Sequence, residues 1–160
     1  MPILIDGHNL IQALPDIDLD DPNDEAMLVE RLKSYCARTR KRCVVVFDRG
    51  LPGGRSRDLS TSQVTVVFAS DGYTTADQVL RGRIRAVRDP GNYLLVSTDL
   101  EVRAAAEKRR MPVMTSEVFA AHMREVRVQA QEEARSGDVH LGPDEVEMWL
   151  RMFQAGEDDE

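Results

Sequence analysis

Four aspartates recur at one kind of place in this sequence of 160 residues. Asp6 closes the apolar run Ile3-Leu4-Ile5, and Asp48 closes Cys43 to Phe47. Asp99 follows the run Tyr93 to Val96, and Asp77 stands in the first turn of the helix expected after Val64 to Phe68. If these runs are strands of an open α/β sheet, they end where such sheets bind ligands, in the crevice outside the carboxyl ends. All four side chains would then meet at one rim. Carboxylates brought together repel and raise one another's pKa, so a cluster of them usually exists to hold a cation. Mg²⁺ or Mn²⁺ suits the set, because hard ions take oxygen ligands and keep several waters. Such an ion activates a bound water and stabilises charge building on a phosphodiester under in-line attack. The chemistry these residues suggest is phosphodiester hydrolysis.

Each residue also has a plainer reading. An aspartate in a first helical turn, as Asp77 and Asp99 are, is more often a cap or dipole partner than a ligand. Asp48 alone could form a turn. Asp6 is harder to explain that way, since Ile5-Asp6-Gly7-His8-Asn9 puts a charge, a flexible glycine and an amide at the abrupt end of a buried strand. Four independent caps would have no reason to fall at strand ends, and that joint pattern favours a site. Asn9 could orient a ligand carboxylate or a metal-bound water, or it could be a turn residue. His8 could carry a proton near phosphate, or serve as a structural donor. Ser97 and Thr98 could meet phosphate or water, although Thr98-Asp-Leu-Glu101 also matches a capping box. His122, His140, Cys36 and Cys43 form no pattern of metal ligation or nucleophilic catalysis.

The elements that must position these residues follow from periodicity. Short solid apolar runs alternate with stretches of helical period, which suggests βαβ units around a mainly parallel sheet of about five strands. The expected strands are 3–5, 43–47, 64–68, 93–96 and 112–114. Leu28, Leu32, Tyr35 and Cys36 recur at helical spacing, as do Ala76, Leu80, Ile84 and Val87. Further helices are expected over 99–109, 116 to about 135, and 145–154. Thr75-Ala-Asp-Gln78 matches a capping box. A short linker is expected from Ser136, giving a domain over 1–135 and a tail, 136–160, that packs back through Val146, Trp149, Leu150 and Phe153.

Composition bounds the alternatives. With 42% hydrophobic and 31% charged residues the chain can bury a single core, and no apolar run suits a signal peptide or a membrane span. Two unpatterned cysteines fit a reducing cytoplasm. The net charge of −7 argues against coating nucleic acid through bulk positive charge, but ten acids are concentrated in 16–25 and 157–160. The remainder carries 21 basic against 18 acidic residues, which allows a locally positive face. Arg49, Arg55 and Arg57 sit on the Gly-rich loop after the second strand, where backbone phosphates would pass. Arg81, Arg83, Arg85 and Arg88 fall on the helix beginning near Asp77; 81, 85 and 88 share a face that is either an RNA stripe or a solvated side. Aromatics at 5% do not suit a broad base-stacking platform.

Taken in order, Ile-Asp-Gly-His-Asn-Leu-Ile (5–11), Val-Val-Val-Phe-Asp (44–48), Val-Val-Phe (66–68), Thr-Ala-Asp-Gln (75–78) and Val-Ser-Thr-Asp (96–99) resemble the YacP-like NYN domain family, a branch of the PIN-like nuclease superfamily. The resemblance covers nearly the whole chain and implies a three-layer α/β PIN-like fold, a Mg²⁺ or Mn²⁺ site, and endoribonuclease activity. It further implies messenger RNA as substrate and the ribosome as partner. By motif position it makes Asp6, Asp77 and Asp99 the metal-site residues, with Asn9 and Asp48 lining the same pocket. The family commonly has Tyr where this chain has His8. Two rival functions are a non-catalytic RNA- or ribosome-binding module and a PIN-like nuclease acting on DNA or structured RNA. A pure binder would gain nothing from mutually repelling charges facing a polyanion. A phosphatase is disfavoured, because Gly7 and His8 follow Asp6 where an Asp-x-Asp pair would be needed.

Overall fold

The computed structural model describes residues 2–18, 21–48, 54–55, 60–69, 75–136 and 146–152. The chain begins with β1 (Ile3–Asp6), α1 (Gly7–Ala13), α2 (Asp24–Thr39), β2 (Cys43–Phe47), β3 (Gly54–Arg55) and β4 (Val64–Phe68). It continues with α3 (Ala76–Ala86), β5 (Leu94–Val96), α4 (Leu100–Lys108), β6 (Val113–Met114) and α5 (Ser116–Ser136). A last helix, α6, occupies 146–152. The sheet order is β3-β4-β2-β1-β5-β6, parallel throughout except for the antiparallel edge pair β3–β4. The expected α/β sheet of five parallel strands is therefore present, with one two-residue edge strand added inside the Gly-rich loop.

Strand alternation splits the core into two layers. Ile3, Ile5, Val45, Phe47, Val64, Val66, Leu94 and Val96 face one side, where they meet α1, α2, α5 and α6 through Leu10, Leu28, Leu32, Phe119, Val146 and Leu150. Leu4, Val46, Val67 and Leu95 face the other, against Ala76, Leu80, Ile84, Val102 and Ala106 of α3 and α4. Because both faces are covered, the strands are apolar at nearly every position, which is why they read as solid runs.

Strand order reverses at β1. The chain adds β2 and β4 on one side, then crosses by α3 to place β5 on the other. The crevice between the carboxyl ends of β1 and β5 is thus the switch point at which such sheets bind ligands.

Two local features depart from the sequence-based expectation. Helix α1 starts at Gly7 with no loop after β1, so Asn9 lies in a helix rather than a turn. A Cβ on Gly7 would stand 2.4 Å from Phe47 Cε1 and 3.0 Å from the Val46 carbonyl oxygen, so only glycine lets the backbone turn so close to β2. Helix α3 stops at Ala86, which leaves Arg88 beyond it and breaks the face expected for 81, 85 and 88. The cause is distant in sequence: Arg109 Nη1 donates to the carbonyls of Ile84, Arg85 and Val87, satisfying the last turn from outside.

Candidate functional site at the carboxyl ends of the strands

Asp6 sits at the centre of the switch-point crevice, 8% exposed. It is the residue before α1, yet its side chain makes no capping hydrogen bond. Its carboxylate is therefore not consumed by the helix it precedes. Burial pushes its pKa up from 3.8 to about 6. The nearby Asn9 backbone N–H pulls it down without closing a capping bond, while the negative charges of Asp48 and Asp99 add to the rise. Ser97 Oγ lies 3.4 Å from both Asp6 Oδ2 and Asn9 Oδ1, so its single hydrogen is shared between two long contacts. Asn9 Oδ1 accepts from the Thr98 backbone N–H at 2.8 Å, which ties α1 to the segment after β5.

The remaining aspartates each have a structural partner. Asp48 Oδ1 accepts from the Ala76 backbone N–H at 2.8 Å, at the N-terminus of α3. Thr75 and Gln78 complete the capping box expected there. At α4 the cap is Asp99, whose Oδ1 accepts from Glu101 and Val102, and not Thr98 as the sequence pattern suggests. Thr98 Oγ1 instead donates to Glu117 and accepts from the Ser116 N–H of α5, because the turn after Ser97 leaves Asp99 in the position that reaches the free helix donors. Asp77 Oδ2 lies 3.3 Å from Arg81 Nη2 one turn along α3. Its Oδ1 is buried with no hydrogen-bond partner. Burial first, then the close carboxylate of Asp99, raise the Asp77 pKa, against the lowering effect of Arg81.

His8 bridges the other end of the crevice. Its ring nitrogens lie 3.6 Å from Glu25 Oε1 and from Asp48 Oδ2, and its ring leans on Phe47. The Glu25 carboxylate, ahead of every other influence, raises its pKa. Glu25 is the member of this site that sequence reasoning missed; its position in the first turn of α2 was hidden within the acidic run 16–25.

Electrostatic coupling thus links Asp6 with Asp48 and Asp99, and Asp99 with Asp77. Among the described residues, no three His, Cys, Asp or Glu side chains are gathered closely enough to cage one ion directly. Of the arginines expected to meet RNA, Arg81 borders the site through Asp77, and Arg85 is exposed in the last turn of α3. Arg55 is described only as backbone in β3, and Arg49 and Arg57 lie outside the described residues. No helix among the described residues is long and apolar enough to cross a membrane.

Comparison with known proteins matches this arrangement to a family. The crystal structure of Rae1 (YacP) from Bacillus subtilis superposes with a TM-score of 0.70 at 20% identity, over 85% of this chain and 80% of that one. A variant of that protein with one tryptophan replaced by leucine gives 0.68 at 18% identity, over 99% and 98% of the two chains. At such identities the likeness concerns the fold. In sequence, the YacP protein of Bacillus subtilis (strain 168) is 29% identical over 100 residues, which is 60% of this chain and 58% of that protein. The model of the YacP-like NYN domain matches residues 3–148, so the chain belongs to that nuclease-type family.

Proposed function

We propose that this protein is a Mg²⁺- or Mn²⁺-dependent endoribonuclease, hydrolysing RNA phosphodiesters in a ribosome-associated, cytoplasmic setting with messenger RNA as substrate. The observation that carries the reading is Asp6, a buried carboxylate at a strand end that feels the negative charges of two further carboxylates, Asp48 and Asp99. Membership of a nuclease-type family supports it.

The residues present fit a hard divalent ion. The donor set is all oxygen, Asp77 Oδ1 is buried without a partner, and the Asp99 carboxylate stands beside it. Asp6, Asp77 and Asp99 would hold the ion, with Asn9 and Asp48 lining the same pocket. Mg²⁺ keeps several waters and uses one or two direct carboxylates, so a tight three-residue cage is not required. Bound there, the ion would supply an activated water and neutralise charge on the phosphate. The protein's own part is positioning. Ser97 and Asn9 brace Asp6, the α4 N-terminus orients Asp99, and Arg81 steadies one oxygen of Asp77. Arg81 and Arg85, with Arg49, Arg55 and Arg57, would meet the RNA backbone. Few aromatic groups are on hand to read bases, so substrate choice would come from context, the ribosome included.

The test is cleavage of a labelled single-stranded RNA by the purified chain with Mg²⁺ or Mn²⁺, with EDTA, and with Asp6→Asn and Asp77→Asn, repeated on translating ribosomes. Metal-dependent cutting lost in both variants is expected. No cutting in either setting, with binding to RNA or ribosomes retained, would replace the enzyme by a binding module.

A further inference from the structure

Away from the carboxylate crevice, a hollow of about 320 Å³ opens between α2 and α5 over the end of α1. Its volume lies at the lower end of the range of about 300–1,000 Å³ typical of ligand pockets. The floor is apolar, made by the buried side chains Leu14, Tyr35, Met123 and Val126. Four arginines, Arg31, Arg38, Arg124 and Arg127, stand around it.

Only two carboxylates answer those four cations among the described residues. Asp16 pairs with Arg31 and lies 3.7 Å from Arg127, and Glu133 pairs with Arg38. Arg124 has no carboxylate partner among the described residues, and Arg38 Nε is buried with no hydrogen bond. A positive surplus around an apolar floor is conspicuous in a chain of net charge −7. RNA would use the cations but leave the floor unmatched, whereas an uncharged apolar partner would strand the guanidiniums.

The chain itself shows the chemistry that matches both. The segment Leu14-Pro15-Asp16 lines one end, with apolar groups on the floor and a carboxylate between Arg31 and Arg127. We infer that the α2–α5 hollow is a docking site for an acidic amphipathic segment of a partner protein, seating apolar side chains on Tyr35, Met123 and Val126 and carboxylates on Arg124 and Arg127. The hollow is flanked by α2 and α5, of 16 and 21 residues, and an amphipathic segment would lay its apolar face on the floor between them. This inference is independent of the nuclease reading.

The probe is a fluorescein-labelled 16-residue synthetic helix with leucines on one face and glutamates on the others, titrated into the full chain by anisotropy. Its lysine counterpart, a labelled oligoribonucleotide and dodecanoate form the other arms. Saturable binding of the glutamate peptide is expected, weakened at least tenfold in Arg124→Glu/Arg127→Glu and in Ser34→Trp, which fills the hollow from an exposed position. Circular dichroism of each variant checks folding, and Asp77→Asn should bind the peptide as the wild type does. Equal binding of the lysine peptide, indifference to the arginine reversals, displacement by the oligoribonucleotide, or binding of dodecanoate alone would each overturn the inference.

Discussion

Replacing Asp6 by asparagine should make the protein more stable at neutral pH while removing the central carboxylate of the proposed site. Burial raises the Asp6 pKa from 3.8 to about 6, so the folded state holds this proton more tightly than the unfolded state does. Below about pH 3 both states are protonated and the residue costs nothing. As pH rises towards 6 the unfolded chain releases its proton first, and folding loses free energy until the native carboxyl also ionises. The lift corresponds to about 3 kcal/mol at pH 7–8. Asn keeps the shape without the charge. The net gain should be about 1–3 kcal/mol, or a rise of about 3–8 °C in Tm for a chain of this size. Thermal unfolding of both proteins at pH 4.5 and pH 8 reads it directly: the difference at pH 4.5 should be about a third of that at pH 8. Under the proposed function, Mg²⁺ should raise the Tm of the wild type at pH 8 and leave Asp6→Asn unmoved. A variant that is less stable at pH 8, or equally shifted at both pH values, would refute the argument that charge burial dominates at this position.

Three further outcomes follow from other parts of the fold. Burial first, and then Lys41, depress the pKa of His122 to about 4, so the unfolded state binds the extra proton between about pH 6.5 and 4. Stability from this residue is complete above that window, and about 3 kcal/mol should be lost as pH falls through it, measurable as a steep loss in urea midpoint that His122→Gln flattens. Gly7→Ala places a methyl against the Phe47 ring and should cost about 1–3 kcal/mol in denaturant unfolding, despite the better helix propensity of alanine. Arg40, the residue ending α2, has φ 57°, so Arg40→Gly should relieve left-handed strain and raise the Tm by about 2–4 °C, for about 1 kcal/mol gained.

Much of this architecture is legible in the sequence because it depends on local pattern. The five parallel strands are solid apolar runs, and α2, α3, α4 and α5 carry stripes that match their buried faces. What was not legible depends on distant partners. Helix α1 has no capping side chain, and its start is set by the approach of Gly7 to Phe47. The end of α3 is set by Arg109, and the edge strand β3 exists only because Gly54 and Arg55 find β4. His122 read as an isolated histidine; it is buried against Tyr35, which meets it at 2.7 Å, and stacks on Trp149 of α6. At the site, the strand-end aspartates were visible one by one, but Ser97 as their common neighbour and Glu25 as the partner of His8 required the fold.

Three aspartates of the crevice have a second task, and those tasks differ in what they leave free. Asp48 and Asp99 each give one oxygen to backbone donors at a helix N-terminus. Asp77 gives one oxygen to Arg81 and keeps the other buried without a partner. Asp6 alone lacks a strong donor, with only the long Ser97 contact and the nearby Asn9 N–H, and it is the carboxyl with the value pushed up to about 6. The reading of strand-end aspartates as caps and their reading as ligands therefore do not compete. Capping uses one oxygen and leaves the second for another partner, as Asp48 Oδ2 does in lying 3.6 Å from His8, so the helix N-termini of α3 and α4 serve as mounts for Asp48 and Asp99. The cost of assembling the cluster falls on Asp6 and Asp77, both raised by burial and by neighbouring carboxylates, and neutralisation by a cation would relieve it at both.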